Sequence, residues 1–187
     1  EAHKAPTTRI LNKNGSASTN SVAYNLTAAG TWARGAEAAV NVVDATGNAI
    51  SVSNVAIPTL TSSTYDAATG SLVVTGTGFT KFAGAGNDVD VSMFTFTGEG
   101  STYTLTDSSD VEITSGTSFT VTLSATDKAA LNQIMNKNGT SSTNTVVYNL
   151  NAAENWTRGA DATVNVVDAT GNAITVSNVA APTITSS

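Results

Sequence analysis

Apolar and polar residues alternate along much of the chain, which is the pattern of β-strands with one buried face. Residues 88–98, DVDVSMFTFTG, place Val89 and Val91 at alternate positions and continue to Phe94 and Phe96. The stretches STYTLTD, DVEITSG and TSFTVTLS extend the alternation further along the chain. Turn-forming residues separate these stretches at about 8–12 residues, the spacing that predicts a β-sandwich.

Residues 58–79, PTLTSSTYDAATGSLVVTGTGF, predict two strands joined by a turn. The stretch from Asp66 to Gly70 supplies small, polar and flexible residues, which favour turns. Leu72 and Val74 then restart the alternation of a second strand.

A different periodicity in residues 125–139, ATDKAALNQIMNKNG, predicts a helix. One helical face carries three apolar residues: Leu131, Ile134 and Met135. Thr126 or Asp127 is the predicted N-cap, and Gly139 is the predicted stop. A second, shorter helix is predicted over residues 151–156, NAAENW.

After these helices, residues 162–168 and 173–179 are predicted strands, and the intervening ATGN is a candidate hairpin turn. Aromatic residues on both sides of the chain's midpoint are predicted core anchors where helix meets sheet. They are Tyr24, Trp32, Tyr148 and Trp156.

The chain contains a long internal repeat. The run NVVDATGNAI occurs at 41–50 and again at 165–174, and the match extends without a gap to residues 4–63 and 128–187. About 70% of the aligned residues are identical. We call these segments the first copy and the second copy. Their offset of 124 residues suits an independently packed domain better than a solenoid coil, so the chain is predicted to come from a tandem array.

Pro58 and Pro182 open the matching stretches PTLTSS and PTITSS, a natural start for a repeat unit. On this phase, residues 1–56 are the C-terminal half of a unit, residues 57–181 are a complete unit, and residues 182–187 are a linker or the start of the next unit. A half sandwich exposes an apolar face and an unpaired strand edge. The half unit is therefore expected to form a small domain by itself, to dock on the full unit, or to be completed by a neighbouring unit or chain.

Three long stretches carry a resemblance to a known family: PTLTSSTYDAATGSLVVTGTGF, NDVDVSMFTFTGEGSTYTLT, and ATDKAALNQIMNKNGTSST followed by YNLNAAENW. They resemble a tandem repeat of giant bacterial surface proteins of the repetitive adhesin or extracellular matrix type. The resemblance covers essentially the whole chain and rests on strand and turn signatures. It implies a mostly β, immunoglobulin-like β-sandwich repeat with one or two short helices inserted. It also implies an extracellular location on the bacterial cell surface and calcium at domain junctions.

On this basis the expected function is structural: part of an adhesin stalk, sheath or self-assembling filament. Its partners are then other copies of itself or tandem neighbours, joined by strand or half-domain complementation. The alternative is an adhesin module that binds a glycan, host protein or other surface ligand without polymerising. The loops KFAGAGND (81–88) and TGEGSTY (97–103) are the candidate ligand contacts for that alternative.

Composition narrows the classes of partner. The formal net charge is -6, and the 8 lysines and arginines are scattered singly, so no cationic stripe is present for nucleic acid or an anionic membrane. Cysteine is absent, which removes disulfides and thiolate chemistry. No stretch approaches the roughly 18 apolar residues of a membrane span.

The best metal candidates are Asn87, Asp88 and Asp90 in GAGNDVDVS. Closely spaced oxygen ligands in a glycine-rich loop suit calcium, which takes six to eight oxygens. The competing interpretation is a solvated loop that enters a strand. Asp66 and Asp168 are further candidates for a calcium site at a domain junction, although ordinary turn residues are the simpler explanation for them.

The twice-repeated VVDATGN contains Asp44 in the first copy and Asp168 in the second. Its predicted role is structural: the aspartate caps backbone N–H groups, and Gly47 or Gly171 takes a positive φ. The only histidine, His3, lies near the N-terminus, and no nucleophile elbow, phosphate-binding loop or zinc pattern is present. The sequence therefore predicts a protein that is not an enzyme.

Overall fold

The computed structural model describes residues 11, 13–18, 21–37, 40–81, 88–160 and 163–181. The chain forms two compact units, Glu1–Val55 and Ala56–Ser187, which we call unit 1 and unit 2. Their boundary lies one residue before the one predicted from the repeat. The fold is mostly β.

In unit 1, the described residues form a two-stranded sheet of β1 (Asn25–Ala28) and β2 (Asp44–Ala49). Unit 2 contains one α-helix, α1 (Ala125–Ile134), and a short 3-10 helix, Val91–Met93, among its described residues. Its strands are β3 (Thr59–Asp66), β4 (Ser71–Thr77), β5 (Phe94–Gly98), β6 (Ser101–Thr104), β7 (Ser118–Thr122), β8 (Asn149–Ala152) and β9 (Asp168–Ser177).

The seven strands of unit 2 form one sheet with the order β6-β5-β8-β9-β3-β4-β7. Neighbouring strands are antiparallel except β3 and β9, which pair in parallel from Ser62 opposite Ala173 to Asp66 opposite Ser177. The first and last strands of unit 2 are therefore hydrogen-bonded neighbours at the centre of the sheet.

The sheet curls until strands from its two ends meet. Phe94 of β5 stacks on Phe119 of β7 with ring centroids 6.0 Å apart, although these strands are far apart in the strand order. Both rings are fully buried, as is Trp156 beside them. The predicted mostly β fold is confirmed, and the curl gives it a sandwich-like core built from one continuous sheet.

The predicted hairpin over residues 58–79 is confirmed as β3, a turn and β4. The carboxylate of Asp66 accepts the backbone N–H groups of Ala68 and Thr69, at 2.9 and 3.0 Å. Gly70 completes the turn with φ +79°. Leu72 and Val74 then alternate into the core as the sequence pattern predicted.

The predicted apolar face at 125–139 is confirmed, since Leu131, Ile134 and Met135 are buried, but the predicted helix ends were wrong. The N-cap is Ser124, whose hydroxyl accepts the N–H of Asp127 at 3.1 Å. The helix ends at Ile134 with Met135 as its C-cap, so Gly139 lies beyond it.

Two further predictions for the second copy were wrong. The proposed helix over residues 151–156 is partly strand β8, which pairs with β5 on one side and β9 on the other. The proposed hairpin turn ATGN lies inside β9, where a shift of register between Leu150 and Ala152 of the partner strand accommodates it as a β-bulge.

Outside the second copy, the strand predicted over residues 110–116 was also wrong. These residues make only isolated bridges, at Val111 and Ser115.

Candidate functional site

The predicted metal loop lies where the chain enters the 3-10 helix. Asn87 is outside the described residues. Asp88 is fully buried, and its Oδ2 accepts the N–H of Ile113 at 3.0 Å. Asp90 caps the 3-10 helix: its Oδ1 accepts the N–H of Ser92 at 3.1 Å and the hydroxyl of Ser92 at 2.6 Å. These carboxylate oxygens therefore already have protein donors.

Asp110 lies beside this loop. Its Oδ1 accepts the N–H of Val91, and its Oδ2 forms an ion pair with Arg158, both at 3.1 Å. Across the described residues, no group of three or more histidines, cysteines or acids is placed to hold a metal ion. Calcium binding by Asn87, Asp88 and Asp90 stays a prediction, which melting with and without a chelator tests: a chelator that lowers the melting temperature supports it.

The second pair of metal candidates is not brought together. Asp66 ends β3 and accepts the side-chain amide of Asn178 at 2.8 Å. Asp168 lies at the opposite end of β3, where it accepts the N–H of Leu60 at 3.3 Å. The six residue steps from Leu60 to Asp66 span about 20 Å along β3, so these two carboxylates do not share one calcium ion within unit 2. A calcium site that uses either of them at a domain junction stays a prediction.

The repeated VVDATGN has a structural role in both copies. Asp44 accepts the N–H and hydroxyl of Thr46 at 3.1 and 2.6 Å, and these bonds with that of Asn48 lower the pKa of the Asp44 carboxyl. The next glycine takes φ +78° in the first copy and +79° in the second, at Gly47 and Gly171. The motif therefore shapes the bulge in both copies.

The most elaborate polar site surrounds Asp127, which the sequence pattern predicts only as a helix cap. Asp127 is fully buried and accepts the hydroxyls of Tyr103 and Ser108 at 2.7 and 2.6 Å. It also accepts the backbone N–H groups of Thr106, Asp107 and Ser108, at 3.0, 3.1 and 2.7 Å.

Burial raises the pKa of the Asp127 carboxyl, but the hydrogen bonds outweigh burial and hold the pKa well below its usual range. The site fixes the loop after β6 to the N-terminus of α1, where a negative charge is favoured. The spacing Ser124-x-x-Asp127 was the available sequence signal, since it has the form of a capping box with aspartate in place of glutamate. Nothing in the local sequence showed that loop 106–108 would close on it.

The two copies of the repeat fold the same way locally. β1 and β2 pair with Asn25 opposite Ala49, and β8 and β9 pair with Asn149 opposite Ala173, each residue 124 positions later. The hydrogen bonds recur as well. The indole N–H of Trp32 donates to Val42 O at 2.7 Å, and that of Trp156 donates to Val166 O at 2.9 Å.

The copies differ in how much apolar surface they bury. Leu26 is 60% exposed in unit 1, whereas its counterpart Leu150 is fully buried in unit 2. Trp32 is 64% exposed, whereas Trp156 is fully buried. The difference is selective, because other matched pairs agree. Tyr24 and Tyr148 are both buried, and Val43 and Val167 are both exposed.

The aromatic rings that pack against Trp156 come from outside the repeated segment. Its ring neighbours are Phe79, Phe94 and Phe119, with centroids 5.7, 5.9 and 6.2 Å away. Unit 1 has no counterpart of these rings among its described residues. It instead carries two open grooves of about 310 and 240 Å³, one reaching Val42 and the other reaching Tyr24. We call the exposed side chains of Leu26 and Trp32, together with the edges of β1 and β2, the open face of unit 1. No further strand pairs with these edges in the part of unit 1 that the structure describes, and the open face is the candidate interaction site.

No protein-family model, curated protein or solved structure matches the chain. The resemblance to repeats of giant surface proteins therefore stands on the quoted motifs alone. Among the described residues, no helix combines the length and apolar character needed to span a membrane.

Proposed function

We propose that the chain is a structural repeat of an extracellular bacterial surface protein and that it carries mechanical load in a stalk, sheath or filament. The observation that carries the proposal is the parallel pairing of the first and last strands of unit 2, β3 and β9. The internal repeat supports it, because a stalk gains length by repeating a closed domain.

The parallel pair matters because of the direction in which a tandem array is stretched. Tension enters unit 2 at the start of β3, near Thr59, and leaves at the end of β9, near Ser177. Parallel strands place these two points at opposite ends of the pair. The load therefore slides one strand along the other and stretches several ladder hydrogen bonds together, whereas opening the pair from one end breaks them one at a time.

Single-molecule pulling on cysteine handles tests this role, and the chain has no cysteine of its own. Handles at Ile57→Cys and Ala180→Cys load β3 and β9 in shear. Handles at Ile57→Cys and Val167→Cys load the same pair from one end. All three positions are exposed. We expect the first pair to require a severalfold higher unfolding force, and equal forces would contradict a load-bearing role.

The location is tested separately. Antibodies against the chain should label intact, unpermeabilised cells of the bacterium that makes it, and labelling only after permeabilisation would contradict a surface location. Electron microscopy and a glycan array distinguish the competing adhesin function. A monodisperse chain that binds a defined glycan would favour ligand binding over a structural role.

A further inference from the structure

We call residues 56–134 of this chain the front segment of unit 2. We infer that the open face of unit 1 is a docking site for a second front segment, meaning another polypeptide with the sequence pattern of these residues. That segment carries β3 to β7 and α1. The inference rests on the repeat that supports the proposed function, but it does not depend on mechanical load. The experiments on the two proposals can therefore fail separately.

Unit 2 shows what covers this face. There, β8 receives β5 along its outer edge, and β9 receives β3 along the other. Unit 1 has the same strand pair in the same register, but among the described residues β1 and β2 have only each other as sheet neighbours. An unpaired edge beside exposed apolar side chains is a template for strand addition.

The side chains that unit 1 leaves exposed identify the occupant. In the second copy, Trp156 is enclosed by three aromatic rings of the front segment, and Leu150 lies opposite Phe96 of β5. The first copy presents the same two residue types, as Trp32 and Leu26. Val43, whose counterpart Val167 stays exposed beside a front segment, does not belong to this surface.

The two strands of the front segment that flank β8 and β9 in unit 2 are already paired on both edges. β3 is paired with β4 and β9, and β5 is paired with β6 and β8. One front segment therefore covers one strand pair of the repeat. The open face of unit 1 requires an additional front segment.

Fluorine NMR of the full chain labelled with 5-fluorotryptophan tests this docking, because Trp32 and Trp156 are the only tryptophans. The probe is a synthetic or refolded fragment of residues 56–134. We expect the fragment to shift the Trp32 resonance, to abolish its sensitivity to solvent deuterium, and to saturate at one fragment per chain. The Trp156 resonance should stay in place.

Matched variants of the acceptor keep the test specific. Leu26→Asp changes an exposed residue of unit 1, so the chain alone should be unaffected, but docking should be lost. Val43→Asp introduces the same charge at a site exposed in both copies, so docking should be retained. A fragment with Thr64→Pro and Thr97→Pro, which removes donors from β3 and β5, should not dock.

If the fragment is insoluble, a covalent fusion of the fragment to the chain tests the same surface. Residues 56–134 are fused directly to residue 11 of the chain, which restores the sequence order of a complete unit. Trp32 should then become as protected from solvent as Trp156. Three results would overturn the inference. Trp32 could stay exposed in that fusion, or the proline fragment could shift the Trp32 resonance. The resonance could also shift with the concentration of the chain alone, without any fragment.

Discussion

At the scale of single residues, unit 2 depends on a few buried polar side chains whose hydrogen bonds are all made by the protein. Asp127 is the clearest case, because its two oxygens organise three consecutive backbone N–H groups of residues 106–108. Tyr65 is another: its hydroxyl donates to Asn132 at 2.7 Å, and burial raises its pKa to about 12. Such groups stabilise a fold only while their partners stay in place.

Replacing Asp127 with asparagine should lower the free energy of unfolding of unit 2 by about 2–4 kcal/mol at neutral pH, because buried donors lose a charged acceptor. Chemical denaturation measures this loss. Asp107→Asn is the control, since Asp107 is exposed and should change stability by less than about 0.5 kcal/mol.

The same variant has a predictable pH profile. The pKa of Asp127 is lowered in the folded protein from its ordinary value of 3.8. The stability it supplies is therefore full above that value and is lost as the pH falls below it. Stability of the D127N protein should consequently depend less on pH between about 5 and 2 than that of the native chain. Equal slopes would show that folding does not lower the pKa of Asp127.

At the scale of elements, the repeated motif makes a strand with a bulge where its composition favours a turn. The glycine of DATGN has a positive φ in both copies, and the side chain of the following asparagine donates to the neighbouring strand, from Asn48 to Leu26 O and from Asn172 to Leu150 O. The positive φ and the side-chain hydrogen bond that are typical of a turn therefore occur inside β2 and β9. The bulge forms even in unit 1, whose described residues include no further strand beside β1 and β2.

Gly171→Ala should destabilise unit 2 by about 1–2 kcal/mol, because a non-glycine residue at positive φ is strained. A Cβ there would also approach Asn149 Cγ to 3.3 Å. Thermal and chemical unfolding measure the effect. Gly116→Ala is the matched control: its φ lies outside the positive range, and its Cβ would meet only Phe79 O, at 3.7 Å. An equal loss in both variants would show that the bulge conformation is not the cause.

At the scale of the whole molecule, one curled sheet gives unit 2 its stability. Strands that are distant in sequence become neighbours, as β3 and β9 do, and the aromatic side chains of β5 and β7 close the core. A two-stranded sheet without such cover is marginal. The same sequence therefore has a different local stability in the two units.

Hydrogen exchange tests this difference without any mutation. Residues 41–50 and 165–174 have the same sequence, so their intrinsic exchange rates are equal and only the structure distinguishes them. We expect the hydrogen-bonded amides of β9 to exchange at least about 100-fold more slowly than their counterparts in β2, because β2 opens without unfolding a core. NMR resolves the two sets, and equal protection would mean that unit 1 is already complete.

Two of the wrong predictions, for ATGN and NAAENW, share one physical cause. ATGN has the composition of a hairpin turn and NAAENW that of a helix, yet strand pairing on both sides of β8 and on β9 overrode these local preferences. The helix N-cap was misplaced by two or three residues because Ser124, Thr126 and Asp127 are all capable caps.

Sequence patterns were enough to predict the mostly β fold, the hairpin from β3 to β4, the apolar face of α1 and the occurrence of one segment in two copies. These features depend on alternation, turn chemistry and repetition, which are local properties of the chain. Three features follow from long-range packing alone: β3 pairs in parallel with β9, Asp127 accepts hydrogen bonds from a distant loop, and Trp156 is enclosed while Trp32 is exposed. Identical local sequences reach different environments because burial is determined by the residues that pack against them.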